Sequence, residues 1–456
     1  MTAGNPMRLV LGFAVPLIFG NLLQQLYALV DATIVGRFVG VNAFAAIGST
    51  NWPIWWLGTI PRDFSNAFSI VASISIGKRD HEEFRRILAQ AVCCAGALTL
   101  AVTGALLAAL DPLLHLLSVS SAVYADARTY LAIMVLCLPF SMTFQMTSGL
   151  LRAAGNGSIT FVAMAASTVL NIALDLVFVL ELGWAVTGVG VATWLSQGLS
   201  MAIVLVAASQ NALFRTRRAH WRFDGALVAA AVKLWLPMAM NSLIITGGGL
   251  VVQRKVNAIG AHFTAGFEAG SKIYNLFESV IVALQAGTCV FVGQNLGAGQ
   301  PRRIRSGMHR MVLVALLATA AMIGLVWLWG DKMVLLFLSK QDPALFESAR
   351  TVGLRYALVL STGMVAMTPM YMYRMSLQAL GHPNYTILAG LLQLVARTVT
   401  ALLLTLLWGE TALYFTEAMA WATSLPAVLI PFEVYVARLC RQTPEAGQEA
   451  AATGTP

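Results

Sequence analysis

Charge is scarce in this sequence. Charged residues fill 11% of its 456 positions, whereas 58% are apolar. No soluble domain of this length is so poor in charge, which excludes a soluble fold. Period-2 alternation is missing too, so the strands of a membrane barrel are excluded and helices remain. Cysteines number five and histidines six, with no metal-ligand spacing among them. Cys93, Cys94, Cys137 and Cys289 fall inside apolar runs, and Cys440 lies near the C-terminal end. They read as buried small residues rather than disulfides. No nucleophile elbow or phosphate loop is present, so no enzyme and no cofactor are expected. A signal-peptide cleavage pattern is also lacking, and the first apolar run is a full span that begins almost at once.

What the chain does have is apolar runs long enough to cross a bilayer, roughly 20 residues or more each. They fall at 9–36, 44–76, 87–110, 125–151, 158–181, 184–208, 227–254, 265–292, 308–330, 348–380, 384–408 and 412–438. The net charge of +9 could suggest nucleic acid, but the basic residues sit in short clusters between these runs. Arg8, Lys78-Arg79, Arg85-Arg86, Arg152, Arg215-Arg217-Arg218-Arg222, Arg302-Arg303-Arg305-Arg310 and Arg438-Arg441 all sort to one side. Positive-inside sorting makes that side cytoplasmic, with both termini on it. The reading is an all-α polytopic membrane protein of the cell membrane, in contact with lipid and monomeric.

The basic stretch near Ser209–Gly225 divides the twelve spans into six and six. The expected division is a six-helix lobe over 1–208, a basic cytoplasmic linker over 209–226, a second six-helix lobe over 227–440 and a disordered tail over 441–456. The halves share weak similarities. Leu150-Leu151-Arg152-Ala153-Ala154-Gly155-Asn156 matches Ser376-Leu377-Gln378-Ala379-Leu380-Gly381-His382. Gly77-Lys78 with Phe84-Arg85-Arg86-Ile87 matches Gly293-Gln294 with Pro301-Arg302-Arg303-Ile304, and Pro16 matches Pro237. An even number of spans per repeat relates the lobes by a pseudo-two-fold axis along the membrane normal, as in alternating-access carriers.

Ionisable residues inside spans are functional candidates by default. Asp31 interrupts the first run, and Asn171 and Asp175 share one face of the fifth. At 1.5 Å per residue, Asp31 lies about 8 Å and Asp175 about 9 Å inside the outer ends of their spans. Thr193 on the sixth comes out at about 14 Å, with Asn171 one turn deeper than Asp175. Four polar side chains from three spans thus share a layer. Two carboxylates there require a bound cation or a shared proton. Asp31, Asn171, Asp175 and Thr193 are hard oxygen ligands and would form the metal site if the ion is sodium. The bland alternative is a structural polar cluster.

These residues carry a resemblance. Span one, with Pro16, Asn21, Asp31 and Gly36-Arg37, resembles the multidrug and toxic compound extrusion (MATE) family. So does Asn171-Ile172-x-Leu174-Asp175 followed by Gly188-x-Gly190-Val191-Ala192-Thr193. The resemblance implies that Asp31, Asn171, Asp175 and Thr193 form a coupling-cation site and that Pro16 lets span one bend. It implies an antiporter that exports small, amphipathic, usually cationic drug-like molecules against inward proton or sodium flow. Two departures stand out. Arg62-Asp63 lies deep in span two, either as a local ion pair or lining the substrate cavity. Span seven has no carboxylate, so Glu278 on span eight is expected to be the only deep acid of the second lobe, in contact with substrate or in a structural hydrogen bond. Met364, Met367, Met370, Met372 and Met375 repeat along span ten; Met367 is a candidate cavity residue, although packing is the commoner role. Arg374 and Arg397 are expected to snorkel or to pair inside the bundle. A lipid-linked oligosaccharide flippase shares this architecture, and its cationic cavity keeps it as the alternative. No soluble output domain supports a sensor.

Overall fold

Without water, each span must satisfy its own backbone hydrogen bonds, and the chain is accordingly helical. The computed structural model describes residues 2–34, 46–47, 50–116, 119, 121, 123–338 and 343–442, without the side chains of 26–34, 51, 52, 56, 116, 261 and 343–345. Among these residues, twelve long helices run in chain order. The first six are α1 (Pro6–Ile34), α2 (Asn51–Gly77), α3 (His81–Ala108), α4 (Tyr124–Ala153), α5 (Ser158–Glu181) and α6 (Ala185–Gln210). The second six are α7 (Gly225–Ile259), α8 (Ala261–Gly297), α9 (Pro301–Leu335), α10 (Pro343–Ala379), α11 (Asn384–Trp408) and α12 (Thr416–Gln442). Among the described residues, eleven helices are both long and apolar enough to cross a membrane. The remaining one is α2, which has the length but carries Arg62, Asp63 and a run of serines.

The chain divides into two compact units, Phe13–Trp235 and Met1–Gly12 with Leu236–Pro456. The divisions fall inside α1 and α7, close to Pro16 and Pro237. In the N-terminal unit, α2 meets α4 along a seam of small residues. Ser65 and Ser69 donate to the carbonyls of Gln145 and Gly149, and a Cβ on Gly149 would lie 2.4 Å from Ser65 Oγ. Such seams let backbones approach where the hydrophobic effect cannot hold helices together. The stretch after α6 docks on α3: His220 Nε2 lies 2.8 Å from Glu82 Oε2, and Gln90 Nε2 donates to the Arg222 carbonyl at 2.8 Å. In the C-terminal unit, α8 and α10 cross at Gly266 and Gly353, beside a ring stack of Phe267 on Tyr356 at 3.9 Å.

The two repeats share local structure. Asn156 N–H donates to Leu151 O at 2.9 Å, and His382 N–H to Leu377 O at 2.8 Å, as the matched motifs require. Both α5 and α11 pass through a π-helical segment, Leu176–Glu181 and Thr400–Leu404. The earlier match needs correction. Asp80 N–H donates to Ser75 O and Gln300 N–H to Asn295 O, where α2 gives way to α3 and α8 to α9. Gly77 therefore pairs with Gly297, and Phe84 with Ile304, both of which are fully buried. The sequence match is displaced by about one helical turn, because an apolar face repeats every three to four residues.

The five cysteines are free. Cys93 is exposed rather than buried, since α3 turns that face outward. The expected disordered tail lies outside the described residues from 443 onward.

Candidate functional site

Asn171 and Asp175 stand one turn apart at the end of the α-helical part of α5. The π-helical segment begins at the next residue, Leu176. A π-segment widens the backbone ring and rotates the following side chains, and such insertions recur at functional sites. Asn171 is 2% exposed and Asp175 0%. Both polar atoms of the Asn171 amide are buried and make no hydrogen bond to any described residue. Helix α6 packs on α5 and carries Thr193, 7% exposed. Gly188 makes that packing close, since a Cβ there would lie 3.0 Å from Phe178 Cβ, and Gly190 does the same for α4, where a Cβ would lie 3.0 Å from Ile133 Cδ1.

Ser196 lies one turn beyond Thr193, equally buried, and its hydroxyl has no hydrogen-bond partner among the described residues. The sequence reading missed it, although the i,i+3 spacing from Thr193 was the available signal. Asp31 belongs to α1, but its side chain lies outside the described residues. Pro16 is inside the same helix, where it removes one backbone donor and permits a bend. Among the described residues, no three His, Cys, Asp or Glu side chains converge as metal ligands.

Arg62 and Asp63 form a loose pair, with Nε donating to Oδ1 at 3.5 Å. They are placed differently. Asp63 is buried within the N-terminal unit, whereas the Arg62 side chain is 47% exposed. Trp55, Gly58 and Arg62 form an exposed stripe on α2. Between α3 and α4, Asp111 accepts from Arg128 Nε at 2.7 Å and from the Tyr124 hydroxyl at 2.9 Å. Arg128 first, then Tyr124, hold its carboxyl below the usual range.

In the C-terminal unit, Glu278 sits midway along α8 and accepts from the Tyr371 hydroxyl at 2.7 Å. The Arg374 guanidinium stacks over the Tyr371 ring at 4.6 Å. Tyr274 donates to Met367 Sδ at 3.3 Å, and Met367 is fully buried, as are Met364 and Met370. The α10 methionines thus pack inside this unit. Glu278 is not the only deep acid here. Arg397 on α11 pairs with Glu417 on α12, through Nε to Oε1 at 2.8 Å and Nη2 to Oε2 at 2.6 Å. The sequence reading missed Glu417, although it lies inside the expected span 412–438 and the buried Arg397 on the neighbouring span required a partner.

Comparison with known proteins places these observations among relatives. A family model described as MatE matches residues 16–177 and 237–403. The chain is 26% identical over 350 residues to the "Probable multidrug resistance protein YpnP" of Bacillus subtilis, covering 76% of this chain and 77% of that one. It is 22% identical over 440 residues to the "Multidrug export protein MepA" of Staphylococcus aureus strain MW2, covering 94% of each. In fold it is similar to a crystal structure of MATE in the bent conformation, with a TM-score of 0.88, 17% identity and coverage of 96% and 97%.

Proposed function

The chain belongs to the MatE family, and on that premise we propose that it is a secondary active antiporter of the cell membrane, with both termini cytoplasmic. It exports amphipathic organic molecules, mostly cationic, in exchange for protons or sodium ions. The buried Asn171–Asp175 pair at the π-helical break carries the reading. A carboxylate without exposed surface on a spanning helix is costly unless a proton or cation neutralises it. Asp175 therefore changes partner or protonation as the carrier cycles, with Asp31, Asn171 and Thr193 completing the oxygen set. In the outward-open carrier the external cation enters, α1 bends at Pro16 and substrate leaves. Occupancy drives the change only through its different affinity for the two conformations. The printed names of the relatives, multidrug resistance and export proteins, support drug-like cargo.

The test is ethidium export from proteoliposomes under a pH gradient and a sodium gradient applied separately. Export should follow one gradient and vanish in Asp175→Asn and Asp31→Asn at unchanged melting temperature. Gradient-driven export retained by Asp175→Asn would overturn the site. A second reading, a lipid-linked oligosaccharide flippase, is favoured by one observation, the half-exposed Arg62. A charged side chain on a spanning helix faces water or protein rather than lipid, and a guanidinium there suits an anionic headgroup. No export under either gradient, with folded protein, would turn the reading to the flippase.

A further inference from the structure

The proposed antiport makes no use of the Arg397–Glu417 pair, yet the pair is built from the helices that correspond to those of the coupling site, with Arg397 at the position of Asn171. Three helices build it. Arg397 comes from α11 and Glu417 from α12, and α7 supplies the Ile245 carbonyl, which accepts from Arg397 Nη1 at 3.3 Å. Gly248 on α7 leaves the slot, since a Cβ there would lie 3.2 Å from Arg397 Cδ. The corresponding helices of the first repeat are α1, α5 and α6, which bear Asp31, Asn171 with Asp175, and Thr193. Left-handed glycines flank both α5 and α11 and fix the register. Gly155 pairs with Gly381 and Gly183 with Gly409, each 226 residues apart (381 minus 155; 409 minus 183). The same offset places Arg397 on Asn171 (397 minus 226), and Glu417 two residues before the counterpart of Thr193 (193 plus 226 is 419).

We propose that Arg397 is a tethered cation: its guanidinium fills, in the second repeat, the place that the exchangeable coupling ion takes in the first. The comparison rests on the antiport reading; the chemistry of the slot does not. Guanidinium stays charged at any physiological pH and presents a planar fork that matches a carboxylate. Glu417 is thus neutralised by a charge that cannot leave, and this slot neither loads nor unloads an ion. With the side chain truncated, the slot becomes a binding site for a small planar monocation.

The test uses the full-length chain purified in detergent and reads thermal melting, not transport. Arg397→Ala should melt several degrees below wild type. Low-millimolar methylguanidinium should restore at least half of that loss, saturably, while tetramethylammonium at equal ionic strength should not. Wild type and the Arg397→Ala/Glu417→Ala double variant should not respond. An Arg397→Ala protein that responds equally to both salts, or to neither, would overturn the proposal. Should Arg397→Ala fail to fold, the double variant is expected to fold, because the harm comes from the stranded carboxylate. A double variant that also fails to fold would overturn it as well. Loss of coupling in Asp175→Asn leaves the rescue untouched, so failure of the antiport reading and failure of this one are separate results.

Discussion

An alanine at Gly266 should force α8 and α10 apart. Its Cβ would lie 2.3 Å from the Ala349 carbonyl oxygen, 2.7 Å from Val352 Cβ and 2.9 Å from Gly353 N. A relaxed carbon–oxygen contact is about 3.3 Å, so the helices must separate by about 1 Å. Two of the three obstacles are backbone, which has no rotamer to turn. Gly353 is close from the other side, its Cβ site lying 3.0 Å from Gly266 O. Two effects oppose each other. Alanine in a helix interior is worth about 1 kcal/mol over glycine. Overpacking costs about 1–3 kcal/mol, and a 1 Å gap forfeits about a quarter to a half of each dispersion contact along the seam. That seam includes the Phe267–Tyr356 stack. The clash wins, by up to about 2 kcal/mol net, so the apparent melting temperature in detergent falls by a few degrees. Gly324→Ala in α9 is the control, because a Cβ there meets nothing within 4 Å. It should melt at or slightly above wild type. Gly266→Ala melting at or above wild type, with the control behaving as expected, would refute the packing argument.

Arg62→Gln should shift selectivity toward cations without changing melting. At an effective dielectric of about 20 and a distance of about 10 Å, one charge is worth about 1–2 kcal/mol, so the export ratio of a cationic to a neutral dye should rise about tenfold; an unchanged ratio would remove Arg62 from the substrate path. Ser196→Ala discards a buried hydroxyl that has no partner among the described residues, so stability should hold or rise by about 1 kcal/mol. If that hydroxyl reaches the coupling ion, the half-saturating ion concentration for export increases, and equal ion dependence would show it to be a bystander.

How much could be read beforehand differs from residue to residue. The i,i+4 spacing of Asn171 and Asp175 was visible, and both are buried on one face of α5. The π-helical segment after them was not, because a one-residue change in hydrogen-bond ring leaves no mark in an apolar run. Arg397 was visible as a deep charge, but its partner was not. Glu417 lies 20 residues on, across a helix turn, and no local spacing encodes such a pair. The docking of His220 on Glu82, 138 residues away, is of the same kind.

The sequence by itself determined what depends on composition and local period: helices rather than strands, twelve of them, the deep charges, and the glycine turns that recur in both halves. These follow from desolvation of the backbone and from the spacing of apolar residues, which act along the chain. Tertiary structure alone decided the register of the α2–α3 and α8–α9 turns, the inward packing of Met367, the exposure of Arg62 and the pairing of Arg397 with Glu417. A helical period of 3.6 makes neighbouring registers nearly equivalent, and only contact with another helix separates them. Whether a deep charge is neutralised by an ion or by an arginine is likewise decided by which helices meet.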